Sequence, residues 1–206
     1  KKIAYGTRSI AKGPAMDPSQ ARKSISNGIE IVYDLCRNGT DIIITGEMGI
    51  GNTTTSAAIA SVILGIPAEI TTGRGAGLDS SGMSRKIAAI HRAIKLNKPD
   101  PTDPIDVLSK LGGFDIAGMT GLFLGGAECG IPIVIDGVIS AVSACLAEMI
   151  SPGCRDFMLP SHVSNEPSAR LLLEKLGLKA PINAGFHLGE GTGGIMLLPL
   201  LDGALA

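Results

Sequence analysis

The chain has 206 residues, a formal net charge of -1 and a sequence pI of about 6.3. Because no basic cluster accompanies this near-neutral charge, the sequence lacks the electrostatic footprint of a protein that binds nucleic acid or an anionic membrane surface. Hydrophobic residues make up 45% of the chain, aromatic residues only 3%, and 28 residues are glycine. This composition is typical of an α/β protein with a buried parallel sheet.

The sequence also bears on where the protein works. The longest apolar run, residues 130–150, is interrupted by Asp136 and Glu148, so it falls short of the ~20 apolar residues of a membrane span. The four cysteines show no metal-ligand spacing, and we expect free thiols in a reducing cytoplasm. Since the chain starts at Lys1 without a methionine, we expect residues 1–206 to be one α/β core domain from a longer chain.

The spacing of apolar residues predicts alternating helices and strands. The first helix is predicted at residues 19–38, with Asp17 as its N-cap and Pro18 at its first position. The other predicted helices span residues 54–64, 84–97, 105–110, 114–126, 138–149 and 168–176, and an apolar helix follows Glu190. The predicted strands span residues 41–45, 68–72, 131–137 and 156–159.

The segment GEMGIGNT, residues 46–53, follows the first predicted strand and has the spacing of a phosphate-binding P-loop. Asn52 stands where such a loop has the lysine that contacts the β- and γ-phosphates, so a nucleoside triphosphate is disfavoured. The remaining features are backbone N–H groups that face one anion at the positive end of a helix, with the Asn52 side chain as a further donor. This pattern predicts a monophosphate site; the alternative is a tight turn that binds nothing.

Other candidate residues lie in loops and at strand ends. Arg74 belongs to a second glycine-rich loop, residues 73–79, which could bring it to a phosphate or a ribose. Alternatively, the loop is only a flexible connection in which Asp79 caps the next helix. Lys86 either reaches a phosphate from that helix or is a solvated surface lysine. Asp136 follows a buried strand at the edge where α/β sheets bind ligands, or it caps the helix that follows it.

Glu190 in HLGEGTGG is the candidate general base. The glycines on both sides let a ligand approach the backbone closely, and a carboxylate in such a place suits proton transfer. The alternative is a surface glutamate in a turn.

Ser164 and Glu166 in SHVSNEP are further pocket candidates, or parts of an ordinary turn. The three histidines are too dispersed to predict a zinc site.

Six motifs in this order resemble one family: GEMGIGNTTTSAA, TGRGAGLD, LGGFDIAGMTGLFLGGA, PIVIDGVISAVSA, SHVSNEPSARLLLEKLGL and LGEGTGGIMLLPLLDGALA. The family is that of the nicotinate-nucleotide:dimethylbenzimidazole phosphoribosyltransferases, which make the lower-ligand nucleotide of cobalamin. The resemblance covers almost all of the chain. It implies an α/β fold, a Rossmann-like parallel sheet with helices on both faces, and assembly as a homodimer.

The resemblance also implies a reaction. The 5-phosphoribosyl group moves from nicotinate mononucleotide to 5,6-dimethylbenzimidazole, giving α-ribazole 5'-phosphate and nicotinate with inversion at the anomeric carbon. Because the leaving group is already a pyridinium, neither an acid nor a metal is needed to expel it, and no cofactor is expected. This chemistry also explains the missing P-loop lysine.

By the same resemblance, the catalytic base is Glu190. The phosphate-binding glycines are Gly49 and Gly51, and Ser164 lines the site in the SHxSxEP loop. The resemblance also implies Lys86, Arg74 and Asp136 in the substrate site, and Asn52 and Gly189 are expected there from their positions in the two glycine loops.

The chain departs from the family at its front. Family members carry an early region that supplies much of the benzimidazole pocket, and no counterpart is present in this sequence. A second hypothesis is therefore a non-catalytic nucleotide-binding or assembly module of the same fold. A P-loop NTPase is a third hypothesis, which Asn52 disfavours. The expected partners are small-molecule substrates, nicotinate mononucleotide and a benzimidazole-type base, with no nucleic acid and no membrane.

Overall fold

The computed structural model describes residues 1–75 and 77–206; Ala76, in the second glycine-rich loop, lies outside the described residues. The helices are α1 Pro18–Arg37, α2 Asn52–Leu64, α3 Ala68–Thr71, α4 Ser80–Asn97, α5 Pro104–Leu111, α6 Phe114–Cys129, α7 Gly137–Ile150, α8 Ala169–Leu176 and α9 Thr192–Leu205. The strands are β1 Ile43–Ile44, β2 Ile133–Ile135 and β3 Met158–Pro160. Within this described part of the chain, no helix is both long and apolar enough to cross a membrane.

The strands form one parallel sheet with β2 in the centre. Ile133 lies opposite Ile43 of β1 on one side and opposite Met158 of β3 on the other. Successive side chains of a strand point to opposite faces of the sheet, yet Ile133, Val134 and Ile135 are all buried. Both faces of the sheet are therefore covered, which confirms the predicted parallel α/β architecture.

The predicted helices and three of the predicted strands are confirmed, with ends that shift by a few residues. The cap of α1 is as expected: the Asp17 carboxylate and the Gln20 side chain form a reciprocal capping box, and Pro18 occupies the first helical position. The third strand begins at Met158 rather than at residue 156, because Cys154–Phe157 forms a 3₁₀ turn.

The predicted strand at residues 68–72 is wrong, because this segment forms the short helix α3. The Thr72 hydroxyl donates to the Ala68 carbonyl at 2.6 Å, and the Thr71 hydroxyl donates to the Ala57 carbonyl of α2 at 3.0 Å. Threonine normally favours strands because its branched side chain packs well on a sheet. Here its hydroxyl groups satisfy helical carbonyls instead, so the local bonds and the contact with α2 decide the conformation.

Helices α1 and α6 pack backbone to backbone. A Cβ added at Gly28 would lie 2.9 Å from the Gly121 Cα, and one added at Gly121 would overlap the Ile25 carbonyl oxygen. One turn further along, a Cβ at Gly125 would lie 2.9 Å from the Val32 Cβ. Since the paired positions rise together along both helices, α1 and α6 run parallel, and glycine is required for their close approach.

We expect Gly121→Ala to destabilise the protein, because its methyl group would overlap the Ile25 carbonyl oxygen. Overpacking of this kind costs about 1–3 kcal/mol of the free energy of unfolding. Gly118→Ala is the matched control, since it lies on the same helix and a Cβ there meets nothing within 4 Å. Urea denaturation followed by circular dichroism measures both variants, and equal stability would contradict the backbone contact.

Candidate active site

The carboxyl ends of the three strands meet at a cavity of about 780 Å³. Asp136 follows β2 and His162 lies just beyond β3, and both residues line this cavity. Ligands of open parallel α/β sheets bind at this edge, so the cavity is the candidate active site. Among the residues predicted from the sequence, those that line it are Gly49, Asn52, Asp136, Ser164, Glu166, Gly189 and Glu190.

The first glycine loop and the Glu190 loop touch through their backbones. A Cβ added at Gly46 would lie 2.9 Å from the Glu190 carbonyl carbon and 2.9 Å from the Gly191 nitrogen. Glycine at position 46 therefore lets the two loops meet, although they are far apart in the sequence. The contact places Glu190 at the wall of the cavity that the first glycine loop also lines.

Glu190 has an unusual backbone conformation. Its φ is +57°, and it lies between Gly189 at +76° and Gly191 at +84°. For a residue with a side chain, the left-handed region costs about 1–3 kcal/mol and persists only where the surrounding structure maintains it. Strain of this kind concentrates at active sites, which supports a functional role for Glu190.

Asp136 stabilises the Glu190 loop from the opposite side. Its carboxylate accepts hydrogen bonds from the backbone N–H of Gly191 at 2.8 Å and of Gly194 at 3.1 Å. Asp136 therefore caps α9, where a carboxylate also meets the positive end of the helix dipole. The alternative interpretation of Asp136, a cap on the following helix α7, is wrong, because its side chain makes no capping bond there. The residue lines the cavity and positions a loop that is distant in sequence.

His162 extends this junction and was not singled out from the sequence. Its Nδ1 lies 2.9 Å from the Ser161 hydroxyl and 3.8 Å from the Asp136 carboxylate. The ring packs edge-on against Phe186, with the ring centres 5.5 Å apart. Burial lowers the pKa of His162, although the Asp136 charge opposes this shift, so the neutral ring is favoured. The sequence signal that pointed to Asp136, a position directly after a strand, could also have identified His162.

The Asn52 side chain faces carboxylates. Its Nδ2 donates to Glu47 and, at 2.9 Å, to Asp115. The expectation that this amide offers a donor to a phosphate is therefore not met by its geometry, since both N–H groups already have acceptors. Gly51, with a φ of +83°, is the N-cap of α2 and does not line the cavity.

Glu47 is a cavity residue that the sequence analysis missed. Burial raises the pKa of Glu47, and the charges of Asp115, Asp136 and Glu190 raise it further, whereas the hydrogen bond from Asn52 lowers it. Glu47 therefore retains a proton at higher pH than an ordinary glutamate. Its position in the sequence, inside the glycine loop and directly after Gly46, could have identified it as a cavity residue.

Lys86 lies behind the cavity wall and is not the solvated lysine of the alternative interpretation. Its Nζ donates to the Thr53 hydroxyl at 3.0 Å and to the Gly73 carbonyl at 2.9 Å. Burial lowers the pKa of Lys86, and the Glu166 carboxylate opposes this shift. Glu166 in turn accepts a hydrogen bond from the Gly75 N–H at 3.1 Å. Lys86 and Glu166 thus connect the start of α2 and the SHVSNEP loop to the second glycine-rich loop.

Arg74 does not line the cavity. Its guanidinium donates to the Leu78 carbonyl at 2.7 Å within the same loop, and the residue is exposed. Asp79 caps α4 by accepting from the Gly82 N–H at 2.6 Å, as the alternative interpretation of this loop expected.

The cavity has a strongly negative lining. Its described lining residues include four carboxylates but neither lysine nor arginine; the carboxylates are Glu47, Asp136, Glu166 and Glu190. The positive end of the α2 dipole and the buried Lys86 behind the wall partly balance them. Such a field favours a positively charged group in the ligand. No group of three or more His, Cys, Asp or Glu residues in the described part of the chain is arranged to hold a metal ion.

Comparison with known proteins identifies relatives over the whole chain. A family model described as "Phosphoribosyltransferase" matches residues 1–206. The nicotinate-nucleotide–dimethylbenzimidazole phosphoribosyltransferase of Acetivibrio thermocellus is 48% identical over 206 residues, which are 100% of this chain and 59% of the relative. The protein of the same name from Clostridium acetobutylicum is 49% identical over 205 residues, or 100% of this chain and 58% of that relative.

A solved structure supports the same relationship. The crystal structure of CobT from Thermus thermophilus superimposes with a TM-score of 0.93 at 39% identity, over 98% of this chain and 61% of that chain. This chain therefore spans roughly three fifths of the length of the relatives that it matches.

We expect Asp136→Asn to loosen the start of α9, because one of the two acceptor oxygens for the Gly191 and Gly194 N–H groups is lost. Loss of a helix cap costs about 0.5–2 kcal/mol. Hydrogen–deuterium exchange should accelerate at residues 189–197 and remain unchanged in α1 and α6. Unchanged exchange at residues 189–197 would contradict the proposed anchoring.

We expect Glu47→Gln to change how stability depends on pH. Because the pKa of Glu47 is raised above its ordinary value of 4.5, the stability linked to its proton is complete below pH 4.5 and is lost as pH rises through the raised value. The variant should thus match the wild type in acid and exceed its free energy of unfolding at neutral pH. Glu174→Gln, at an exposed position of α8, is the control. Denaturation at several pH values tests this, and parallel profiles of wild type and Glu47→Gln would contradict it.

Proposed function

The chain belongs to the nicotinate-nucleotide:dimethylbenzimidazole phosphoribosyltransferase family, and we propose that its cavity transfers the 5-phosphoribosyl group from nicotinate mononucleotide to 5,6-dimethylbenzimidazole. The products are α-ribazole 5'-phosphate and nicotinate. The observation that carries this proposal is the carboxylate-rich cavity in which Glu190 lies beside the first glycine loop.

The proposed reaction is a displacement at C1' of the ribose. A ring nitrogen of the benzimidazole attacks C1' from the side opposite the nicotinate, and the bond from C1' to the pyridinium nitrogen breaks. Its electron pair returns to the nicotinate ring and neutralises the cation. The other benzimidazole nitrogen loses its proton to the Glu190 carboxylate, which acts as general base. Attack from the opposite side inverts the anomeric carbon.

The charges around the cavity suit this substrate. Its pyridinium carries a positive charge, and positive charge develops on the ribose as the bond to the leaving group breaks. We propose that the Asp136 and Glu190 carboxylates, which line the cavity, lie near this end of the bound substrate. Preorganised groups of the opposite sign stabilise developing charge most effectively in a cavity that excludes water.

The 5'-phosphate is proposed to bind at the start of α2. Gly49 and Thr53 line the cavity there, and the backbone N–H groups at a helix start attract a single anion. Lys86 adds positive charge one layer behind Thr53. Ser164 and Gly189 line the same cavity and are proposed to contact the substrate. Arg74 remains a sequence prediction, because its guanidinium would first have to leave the Leu78 carbonyl.

A non-catalytic nucleotide-binding or assembly module of the same fold is the second candidate function. Incubation of the 206-residue chain with nicotinate mononucleotide and dimethylbenzimidazole, followed by mass spectrometry, separates the two. Product supports the transferase. Binding of the nucleotide by calorimetry without product supports the module, and magnesium-dependent binding of ATP instead would contradict both.

Assembly as a homodimer is proposed together with this function. The apolar face of α9 is exposed in the single chain, and its exposed residues are Ile195, Met196, Leu200 and Leu205. Large exposed apolar surfaces mark interaction sites. Sedimentation equilibrium that finds only monomers would contradict a dimer of this chain.

We expect Glu190→Gln to suppress turnover by about 10²–10⁴-fold, which is the usual contribution of a general base. The affinity for nicotinate mononucleotide should change little, because the phosphate binds at the start of α2. Turnover is measured with this chain if the wild type is active. If it is not, the matching glutamate is replaced in a full-length relative and turnover is measured there. Glu174→Gln, remote on α8, is the control. Undiminished turnover would refute the role of Glu190 as base.

A further inference from the structure

The four cysteines fall into two classes. Cys145 and Cys154 are buried, and their thiols donate to the Leu172 carbonyl at 3.5 Å and to the Phe123 carbonyl at 3.3 Å. Burial raises the pKa of each of these two thiols to about 12, so neither is reactive at neutral pH. Cys36 and Cys129 are only partly buried, and a small reagent therefore has access to them.

The packing of α1 on α6 brings Cys36 and Cys129 together. Gly28 of α1 lies against Gly121 of α6, and one turn later Val32 lies against Gly125. Because the helices run parallel and are in backbone contact, the next turn pairs position 36 with position 129. At the preceding turn the separation is 2.9 Å from the Val32 Cβ to a Cβ added at Gly125. Disulfides require Cβ atoms about 3.5–4.5 Å apart, and this register places the two cysteines on the facing sides of helices that approach each other this closely.

The environment of the two thiols agrees with this register. The Cys36 thiol is close enough to Cys129 to affect the pKa of that thiol. Burial, this contact and the charge of Glu128 raise the pKa of Cys129, and only Arg37 opposes the shift. Both residues also lie in the last turn of a helix and not at a helix start. The pair is therefore unlike the activated cysteines of catalytic sites, which lie at helix starts.

We propose that Cys36 and Cys129 are a site of reversible oxidation, at which a low-molecular-weight disulfide such as oxidised glutathione converts the two thiols into one intramolecular disulfide. First, the Cys36 thiolate attacks a sulfur of the oxidant, whose S–S bond breaks and releases one glutathione. Then Cys129 loses its proton and attacks the Cys36 sulfur, which releases the second glutathione. Two protein thiols are oxidised and one glutathione disulfide is reduced to two thiols.

The pair lies at the edge of the sheet opposite to the cavity. Helix α1 ends shortly before β1, and α6 ends shortly before β2, whereas the candidate active site lies beyond the carboxyl ends of these strands. The disulfide would close a long loop that contains β1 and helices α2 to α5. Closing a long loop stabilises a protein mainly by restricting its unfolded chain. Oxidation is thus expected to stabilise the fold without rearranging the cavity.

The test is to incubate the wild-type chain with oxidised glutathione and to compare it with the reduced chain. The number of thiols that react with Ellman's reagent after denaturation should fall from the four cysteines of the sequence to half that number. Peptide mapping should link Cys36 to Cys129 within one chain. The Tm should rise by several degrees and return to its original value after reduction with dithiothreitol.

Cys36→Ser and Cys129→Ser serve as matched controls. Each should lose the rise in Tm and retain at most a glutathione adduct on its remaining partner. Three results for the wild type would overturn the proposal: a linkage to Cys145 or Cys154, disulfides only between chains, or stable glutathione adducts without an internal bond. Because these results come from the wild-type chain, the outcome does not depend on how well the variants fold.

Discussion

The backbone contact between Gly46 and the Glu190–Gly191 peptide is the constraint on which the candidate active site depends. It fixes the loop after β1 against the loop before α9, with only the hydrogen atom of Gly46 between them. Asp136, at the end of β2, binds the same loop through two backbone N–H groups. Two strands of the sheet thereby determine the position of Glu190, whose left-handed backbone would not be stable in an isolated turn.

The same arrangement concentrates negative charge. Glu47, Asp136 and Glu190 converge on one cavity, and the pKa of Glu47 is raised mainly by burial and further by its acidic neighbours. A group of carboxylates that repel one another reduces the stability of the fold. Such a group is retained where it stabilises a cationic ligand or transition state. The start of α2 and the buried Lys86 supply positive charge beside these carboxylates, and the proposed binding of a 5'-phosphate depends on it.

Most of the fold was predictable because its elements are long or strongly patterned. The helix caps at Asp17 and Asp79 and the apolar strand predicted at residues 131–137 are local signals, and the structure confirms each of them. Residues 68–72 were predicted incorrectly, because the Thr71 hydroxyl bonds to a carbonyl of α2, and a propensity cannot anticipate such a contact. The backbone contact of α1 with α6 likewise depends on the pairing of distant glycines.

The sequence by itself determined the fold class, the family, and part of the cavity lining, including Gly49 and Glu190. These depend on local order along the chain: a strand, then glycines, then a helix start. Only the tertiary structure decided the roles of individual side chains. It turned Asn52 toward two carboxylates, directed Asp136 to the start of α9, placed Lys86 behind the wall and added Glu47 and His162 to the site. Such partners come from distant parts of the chain, so no local pattern encodes them.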